Sequence, residues 1–311
     1  MASLDTTINS PPPPEHGDYG VSDGEWLRID WREHLRSVTV DSELGRTDVN
    51  YAEMGEGPAV LFVHGLGGSW RNWLENIPAF AKNHRVVAID LPGFGTSPLP
   101  AEPLTIKAYG DLIVAFSDAL GLDQETALVG HSMGGFISTE AIIDSPERFS
   151  SLTLVAAAGI TFARISQTRK EITRSAIRVM LLIAASRTKR SMGRRRLRTA
   201  SFAGVIAHPG MMSREILWEL GTYAVKSPGL LQAAYAMAGY DTRDRLAEIT
   251  LPTLVIWGEQ DRLVPVGAAY SYEKRIPGSE LHLIDDTGHM VQMERPARFN
   301  QVVEDFIARK N

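Results

Sequence analysis

Leu128-Val129-Gly130-His131-Ser132-Met133-Gly134-Gly135 is the stretch on which the reading of this chain turns. An apolar run, Ala127–Val129, leads straight into G-x-S-x-G, and a helix-compatible run, Phe136–Ile143, follows. That order describes a strand, a tight turn and a helix, with a serine at the apex. A serine nucleophile needs this arrangement: its hydroxyl must stand clear of the backbone, and side chains at 130 and 134 would collide in so sharp a turn. The helix starting after Ser132 also brings backbone N–H groups and a positive dipole end towards developing negative charge. The bare pattern arises by chance in glycine-rich loops, so its meaning rests on the strand before it, the helix after it and its partners elsewhere.

Outward from this turn, short β-branched runs alternate with longer helical patterns. Candidate strands are Ser37–Val40, Thr47–Glu53, Ala59–Val63, Arg85–Ile89, Ala127–Val129, Leu152–Val155, Thr253–Trp257 and Glu280–Ile284. Candidate helices lie near 70–82, 105–120, 133–144, 266–275 and 295–309. Val60–Val63 and Val86–Ile89 are continuous apolar runs, which suits parallel strands covered on both faces. Each strand–helix alternation needs a crossover, so the economical architecture is an α/β, doubly wound sheet. The alternation breaks between about Gly159 and Asp241, where Ser175–Ser186, Arg214–Tyr223 and Leu230–Ala238 read as consecutive helices.

This divides the chain into a disordered lead-in at 1–23, a core at 24–158 and 243–311, and a helical cap, or lid, at 159–242 after the sixth strand. The lead-in carries Pro11–Pro14, which favours extended polyproline geometry, and it has no apolar core of the length a secretory signal needs.

The composition sets outer limits. A chain of 311 residues, 44% of them hydrophobic, can bury one large core or one core with an insertion. A net charge of −5 gives no global sign of nucleic acid. Zero cysteines exclude disulfides, a cysteine nucleophile and thiolate metal sites. No run approaches the roughly 20 apolar residues that span a bilayer, so a soluble protein, or one attached at most to a membrane surface, is expected. Without a secretory signal, the expected location is cytoplasmic or peripheral to a membrane. The histidines are scattered and H-E-x-x-H is absent, so no metal is expected. No signal bears on oligomeric state.

A second glycine-rich loop, His64-Gly65-Leu66-Gly67-Gly68, follows the Ala59–Val63 strand. It suits an oxyanion loop, with the N–H of Leu66 paired with that of Met133 around the oxyanion. A nucleotide loop would show G-x-G-x-x-G or a following lysine, and neither is present. His64 reads as a structural hydrogen-bonder. Serine needs a base, and the base needs a carboxylate to hold its tautomer. His289 suits the base because it lies in a glycine-containing loop after the last strand. His131 reads as a neighbour of the nucleophile and His282 as a strand residue. Asp261, just before Arg262-Leu263-Val264-Pro265, is preferred to Glu259 as the acid, while Asp285 and Asp286 shape the histidine loop. Such a triad supplies its own nucleophile, base and charge stabiliser, so no cofactor is expected.

The order Ser132…Asp261…His289, with GHSMGG, HGLGG, DLPGFGTS (Asp90–Ser97), GEQDRLVP and DDTGHMVQMERP, resembles the α/β-hydrolase superfamily from about 35 to 309, apart from the insert. The resemblance implies an eight-stranded, mostly parallel sheet, a helical cap at 159–242 and the triad just named. A serine nucleophile argues against the aspartate-based dehalogenases and epoxide hydrolases of the superfamily and leaves acyl chemistry on a small-molecule ester or lipid. Carboxylesterases and monoacylglycerol-type lipases are most similar. C–C bond hydrolases of ring-cleavage products are the near alternative; they commonly show asparagine where His131 stands. Members that bind ligands without catalysis often lack a triad element, and here all three are present.

The insert is strongly basic. Between 161 and 200 stand twelve arginines and lysines against one acid, Glu171. Beside the apolar run Val179–Ala185 they could dock on an anionic membrane surface. The preferred reading is that they pair with the acidic core or merely solvate an exposed cap, while Val179-Met180-Leu181-Leu182 lines the acyl pocket. Gly65, Trp70, Met180 and Met290, with Leu66 and Met133, are candidate walls of a substrate pocket.

Overall fold

The structure, a computed structural model, describes residues 17–21, 24–160, 194–224 and 226–309. The expected helix at Ser175–Ser186, with Met180, lies outside the described residues. Eight strands form one sheet: β1 Leu35–Ser42, β2 Gly45–Met54, β3 Ala59–Val63, β4 Arg85–Ile89, β5 Ala127–His131, β6 Ser151–Val155, β7 Thr253–Gly258 and β8 Glu280–Ile284. Their order is β1-β2-β4-β3-β5-β6-β7-β8. Only β2 runs against its neighbours β1 and β4; all other pairs are parallel.

Every residue of β3, β5, β6 and β7 is buried. Side chains alternate across a strand, so these runs fill a core on each face. Leu61, Val63, Val87, Ile89 and Leu128 join one apolar cluster, and Val60, Phe62, Val86, Ala88 and Val129 join the other.

The helices, in chain order, are α1 Ile77–Phe80, α2 Ile106–Ala119, α3 Met133–Asp144, α4 Arg195–Phe202, α5 Arg214–Ala224, α6 Leu230–Met237, α7 Gly267–Arg275, α8 Val291–Glu294 and α9 Pro296–Ala308. Tyr109 and Phe116 of α2, Phe136 and Ile137 of α3 and Tyr272 of α7 pack on the first cluster. Ile77 and Phe80 of α1 and Phe299, Val303 and Phe306 of α9 pack on the second. Helices thus cover both faces of a doubly wound sheet.

One predicted helix differs. The pattern over 70–82 resolves into a 3-10 turn at Trp70–Trp73, closed by a Ser69–Asn72 capping box, and the separate α1. A continuous helix would need an N–H on Pro78 to reach the Leu74 carbonyl, and proline has none. The break lets Trp73 turn inward and stack on Phe62, ring centroids 4.6 Å apart.

The described part of 159–242 contains α4, α5 and α6 and, among the described residues, no strand. Residues 17–21, from the segment read as a lead-in, include Tyr19, which is 2% exposed. No helix among the described residues is long and apolar enough to cross a membrane.

Candidate active site

β5 runs into Ser132, whose backbone stands at φ 54°, ψ −115° at the head of α3. Positive φ is costly with a Cβ, so surrounding bonds must impose it. Ser132 N–H donates to the Val155 carbonyl at 2.9 Å, and its own carbonyl accepts from Phe136 N at 3.2 Å and Ala158 N at 3.0 Å. The flanking glycines are steric requirements. A Cβ on Gly130 would lie 2.5 Å from the Gly134 carbonyl oxygen, and one on Gly134 would drive into the carbonyls of Val63 and His64.

β7 ends in a turn where Asp261 is buried and Glu259 exposed. Asp261 Oδ1 accepts from Leu263 N at 2.8 Å and Val264 N at 2.9 Å. That leaves Oδ2 for His289 Nδ1, 2.7 Å away. A carboxylate at Nδ1 holds the proton there and leaves Nε2 free to accept one. The backbone of His289 is fixed at both its N–H and its carbonyl. Its N–H donates to the Val205 carbonyl of the insert at 2.8 Å. Its carbonyl accepts from His131 Nε2 at 3.0 Å, and the two rings lie 4.8 Å apart. His131 is therefore the link that sets the histidine loop against the Ser132 turn. Its deep burial, with His289 beside it, holds it well below its ordinary pKa and neutral.

The loop after β3 closes on the same turn. A Cβ on Gly65 would lie 2.9 Å from Ser132 Cβ. Among the described residues, no backbone carbonyl takes the N–H of Leu66 or of Met133. His64 is wholly buried; its Nε2 accepts from Leu91 N at 3.0 Å, so its Nδ1 donates to the Gly65 carbonyl at 2.7 Å. Burial pulls its pKa down to about 4. Asp90 ties this loop to the next one, accepting from Trp70 N and Thr96 N, each at 2.8 Å. The Trp70 ring itself packs on Trp31, centroids 4.9 Å apart, and Met290 is buried in the same apolar cluster.

Sequence reading passed over the groups behind His289. Glu294 is fully buried and accepts from Gly288 N at 2.9 Å and Met290 N at 3.0 Å, the peptides on either side of that histidine. It also accepts from Tyr19 Oη at 2.6 Å and Ala207 N at 2.9 Å. A carboxylate set among apolar residues in GHMVQMERP was the available signal. Among the described residues, no group of three or more His, Cys, Asp or Glu could hold a metal ion.

The fold that carries these residues has counterparts among known proteins. The pattern of the alpha/beta hydrolase fold family matches residues 58–296. The chain belongs to that family. This α/β-hydrolase is 30% identical to the dihydrolipoyllysine-residue acetyltransferase component of an acetoin cleaving system from Pseudomonas putida, over 86% of this chain and 68% of that one. It spans about two thirds of the length of the curated relatives of that name. It is 28% identical to a 2-hydroxy-6-oxo-6-phenylhexa-2,4-dienoate hydrolase from Burkholderia cepacia, over 87% of this α/β-hydrolase and 95% of the relative. A thermophilic esterase from Thermogutta terrifontis superimposes with a TM-score of 0.74 at 25% identity, covering 88% of this chain and 98% of the esterase.

Proposed function

We propose that this α/β-hydrolase cleaves carboxylic esters through an acyl-enzyme on Ser132. The observation that carries the reading is the Asp261–His289 bond of 2.7 Å, held through His131 against the turn that presents Ser132. His289 Nε2 takes the Ser132 proton as Oγ attacks the ester carbonyl, and the N–H groups of Leu66 and Met133 receive the oxyanion. Collapse expels the alcohol, which takes its proton from His289. Water, deprotonated by His289, then attacks the acyl group and frees Ser132 as the acid leaves. Asp261 keeps the imidazole in register and offsets its positive charge during both steps.

In this proposal the insert at 159–242 caps the site, a role supported by the Val205 carbonyl bound to the backbone of His289 itself. The test is hydrolysis of p-nitrophenyl esters from acetate to palmitate by the wild type and Ser132→Ala. Turnover that falls at least a thousandfold in the variant supports the acyl-enzyme, and the chain-length profile separates esterase from lipase action. A folded wild type that turns over no ester, yet cleaves a ring-cleavage dienone, would move the assignment to C–C hydrolysis.

A further inference from the structure

Tyr19 lies far outside the 58–296 span matched by the family, yet its hydroxyl sits at the junction of three segments. Tyr19 Oη donates to Glu294 Oε2 at 2.6 Å and accepts from His208 N at 2.7 Å. Its ring meets the His208 ring edge-on at 5.1 Å and lies under the Arg295 guanidinium at 4.9 Å. The next residue, Gly20, donates its N–H to the Glu294 carbonyl at 2.7 Å. One short N-terminal segment thereby grips both the insert and the carboxylate behind the histidine loop.

We infer that Tyr19 is a positioning residue for His289, joining the insert to the histidine loop through Glu294. Two paths converge on the histidine. Glu294 holds the peptides before and after it, and the insert holds its own N–H through Val205, three residues from His208. The Tyr19 hydroxyl bridges those paths through its side chain, beside the direct bond from Ala207 N to Glu294 Oε2 at 2.9 Å. Without it, Glu294 loses one of its donors and the His208 N–H loses its acceptor, both in a site with little access to water. The insert would keep its Ala207–Glu294, Val205–His289 and His208–Asp286 ties. The carboxylate behind the loop would be held less firmly, however, and the imidazole would point less accurately at Ser132. Charge balance favours the same arrangement. The buried Arg295 pairs with Asp18 at 2.7 Å and Asp286 at 3.2 Å, and Asp286 also meets His208 at 2.6 Å. Burial and the Glu294 carboxylate drive the Tyr19 phenol upward, so it stays protonated and remains a donor.

The inference rests on His289 being the base, and its test has an arm that does not need turnover. Tyr19→Phe keeps the ring and removes only the bridging oxygen. With the p-nitrophenyl ester that the wild type turns over fastest, kcat is expected to fall five- to twentyfold with KM within twofold. Val40→Ala, a buried deletion on the opposite face of the sheet, serves as a control for lost stability alone. In parallel, the His289 imidazole ¹H–¹⁵N correlations are expected to shift and broaden in Tyr19→Phe and to stay in place in Val40→Ala. Unchanged imidazole signals in Tyr19→Phe overturn the inference whether or not any ester is hydrolysed. An equal loss of kcat in Val40→Ala at matched melting temperature also overturns it. Shifted signals in a protein inactive on every ester would uphold the bridge and reject the esterase reading.

Discussion

Ser132 occupies a backbone state that glycine adopts freely and other residues resist. The strain is imposed from outside, by the Val155 carbonyl on one side and the Phe136 and Ala158 N–H groups on the other. Removing the hydroxyl therefore has two separable consequences. Both Ser132→Ala and Ser132→Gly abolish the proposed nucleophile, but only the glycine removes the Cβ that makes positive φ costly. Ser132→Gly should be more stable than Ser132→Ala by roughly 0.5–2 kcal/mol, the ~1–3 kcal/mol of one strained residue less the ~0.5–1 kcal/mol of extra chain entropy that glycine loses on folding. Paired urea unfolding curves measure the difference, and a glycine variant less stable than alanine by about 0.5–1 kcal/mol, the entropy term alone, would show that the turn carries no strain. The same residues show what a sequence can disclose. Ser132, Asp261 and His289 stand out as candidates because each sits where an apolar strand gives way to a glycine-containing or acid-bearing loop, and the Asp261–His289 contact joins two of them. Glu294 and Tyr19 are not, because they meet across 275 residues and neither ends a periodic run.

At the scale of elements, the continuous apolar runs of β3 and β4 were enough to predict parallel strands covered on both faces, and their bounds hold to the residue. The 70–82 segment misled because apolar spacing does not register that Pro78 lacks a donor, or that Asn76 turns aside to the Gln292 carbonyl at 3.1 Å. The loop after β3 makes a prediction about pH. His64 is neutral in the fold, accepting from Leu91 N and donating to the Gly65 carbonyl, with its pKa pulled by burial to about 4. In the unfolded chain it binds a proton below about 6.5. As pH falls from 6.5 to 4, the unfolded state gains a proton that the folded state refuses, so stability is lost in that window and is unaffected above it. The slope is about 1.4 kcal/mol per pH unit, on the order of 3 kcal/mol across the window. Asp90, raised by burial, acts with the opposite sign, so the effect is read as a difference between proteins. His64→Gln keeps an acceptor for Leu91 and a donor for Gly65 but does not titrate. Unfolding free energies of the wild type and His64→Gln should run parallel above pH 6.5 and diverge below it, the wild type falling faster. Parallel curves down to pH 4 would show that His64 takes its proton in the fold.

For the molecule as a whole, charge is distributed unevenly. The chain carries −5, while residues 161–200 alone carry twelve cations against one anion, so the remainder is strongly acidic. Within the described end of that stretch, Arg194 and Arg196 are exposed and Leu197 is 44% exposed. A cationic stretch with an apolar side chain in its midst suits an anionic lipid surface, where a few such charges contribute about 1 kcal/mol each and act only within a Debye length. The acidic remainder works against close approach, so the attraction would come from this stretch of the sequence. For an esterase whose substrate partitions into lipid, that contact would bring the proposed cap to the surface holding the ester. We therefore propose peripheral binding through the insert, read by co-sedimentation with vesicles of phosphatidylcholine alone or mixed with phosphatidylserine. At low salt the protein should pellet only with the anionic vesicles, and it should return to the supernatant at about 0.5 M salt, where the Debye length is only a few ångströms. A protein that stays in the supernatant with anionic vesicles at low salt would assign the arginines to the acidic core instead. Pelleting that salt does not reverse would point to apolar insertion rather than charge, and would reject the electrostatic account.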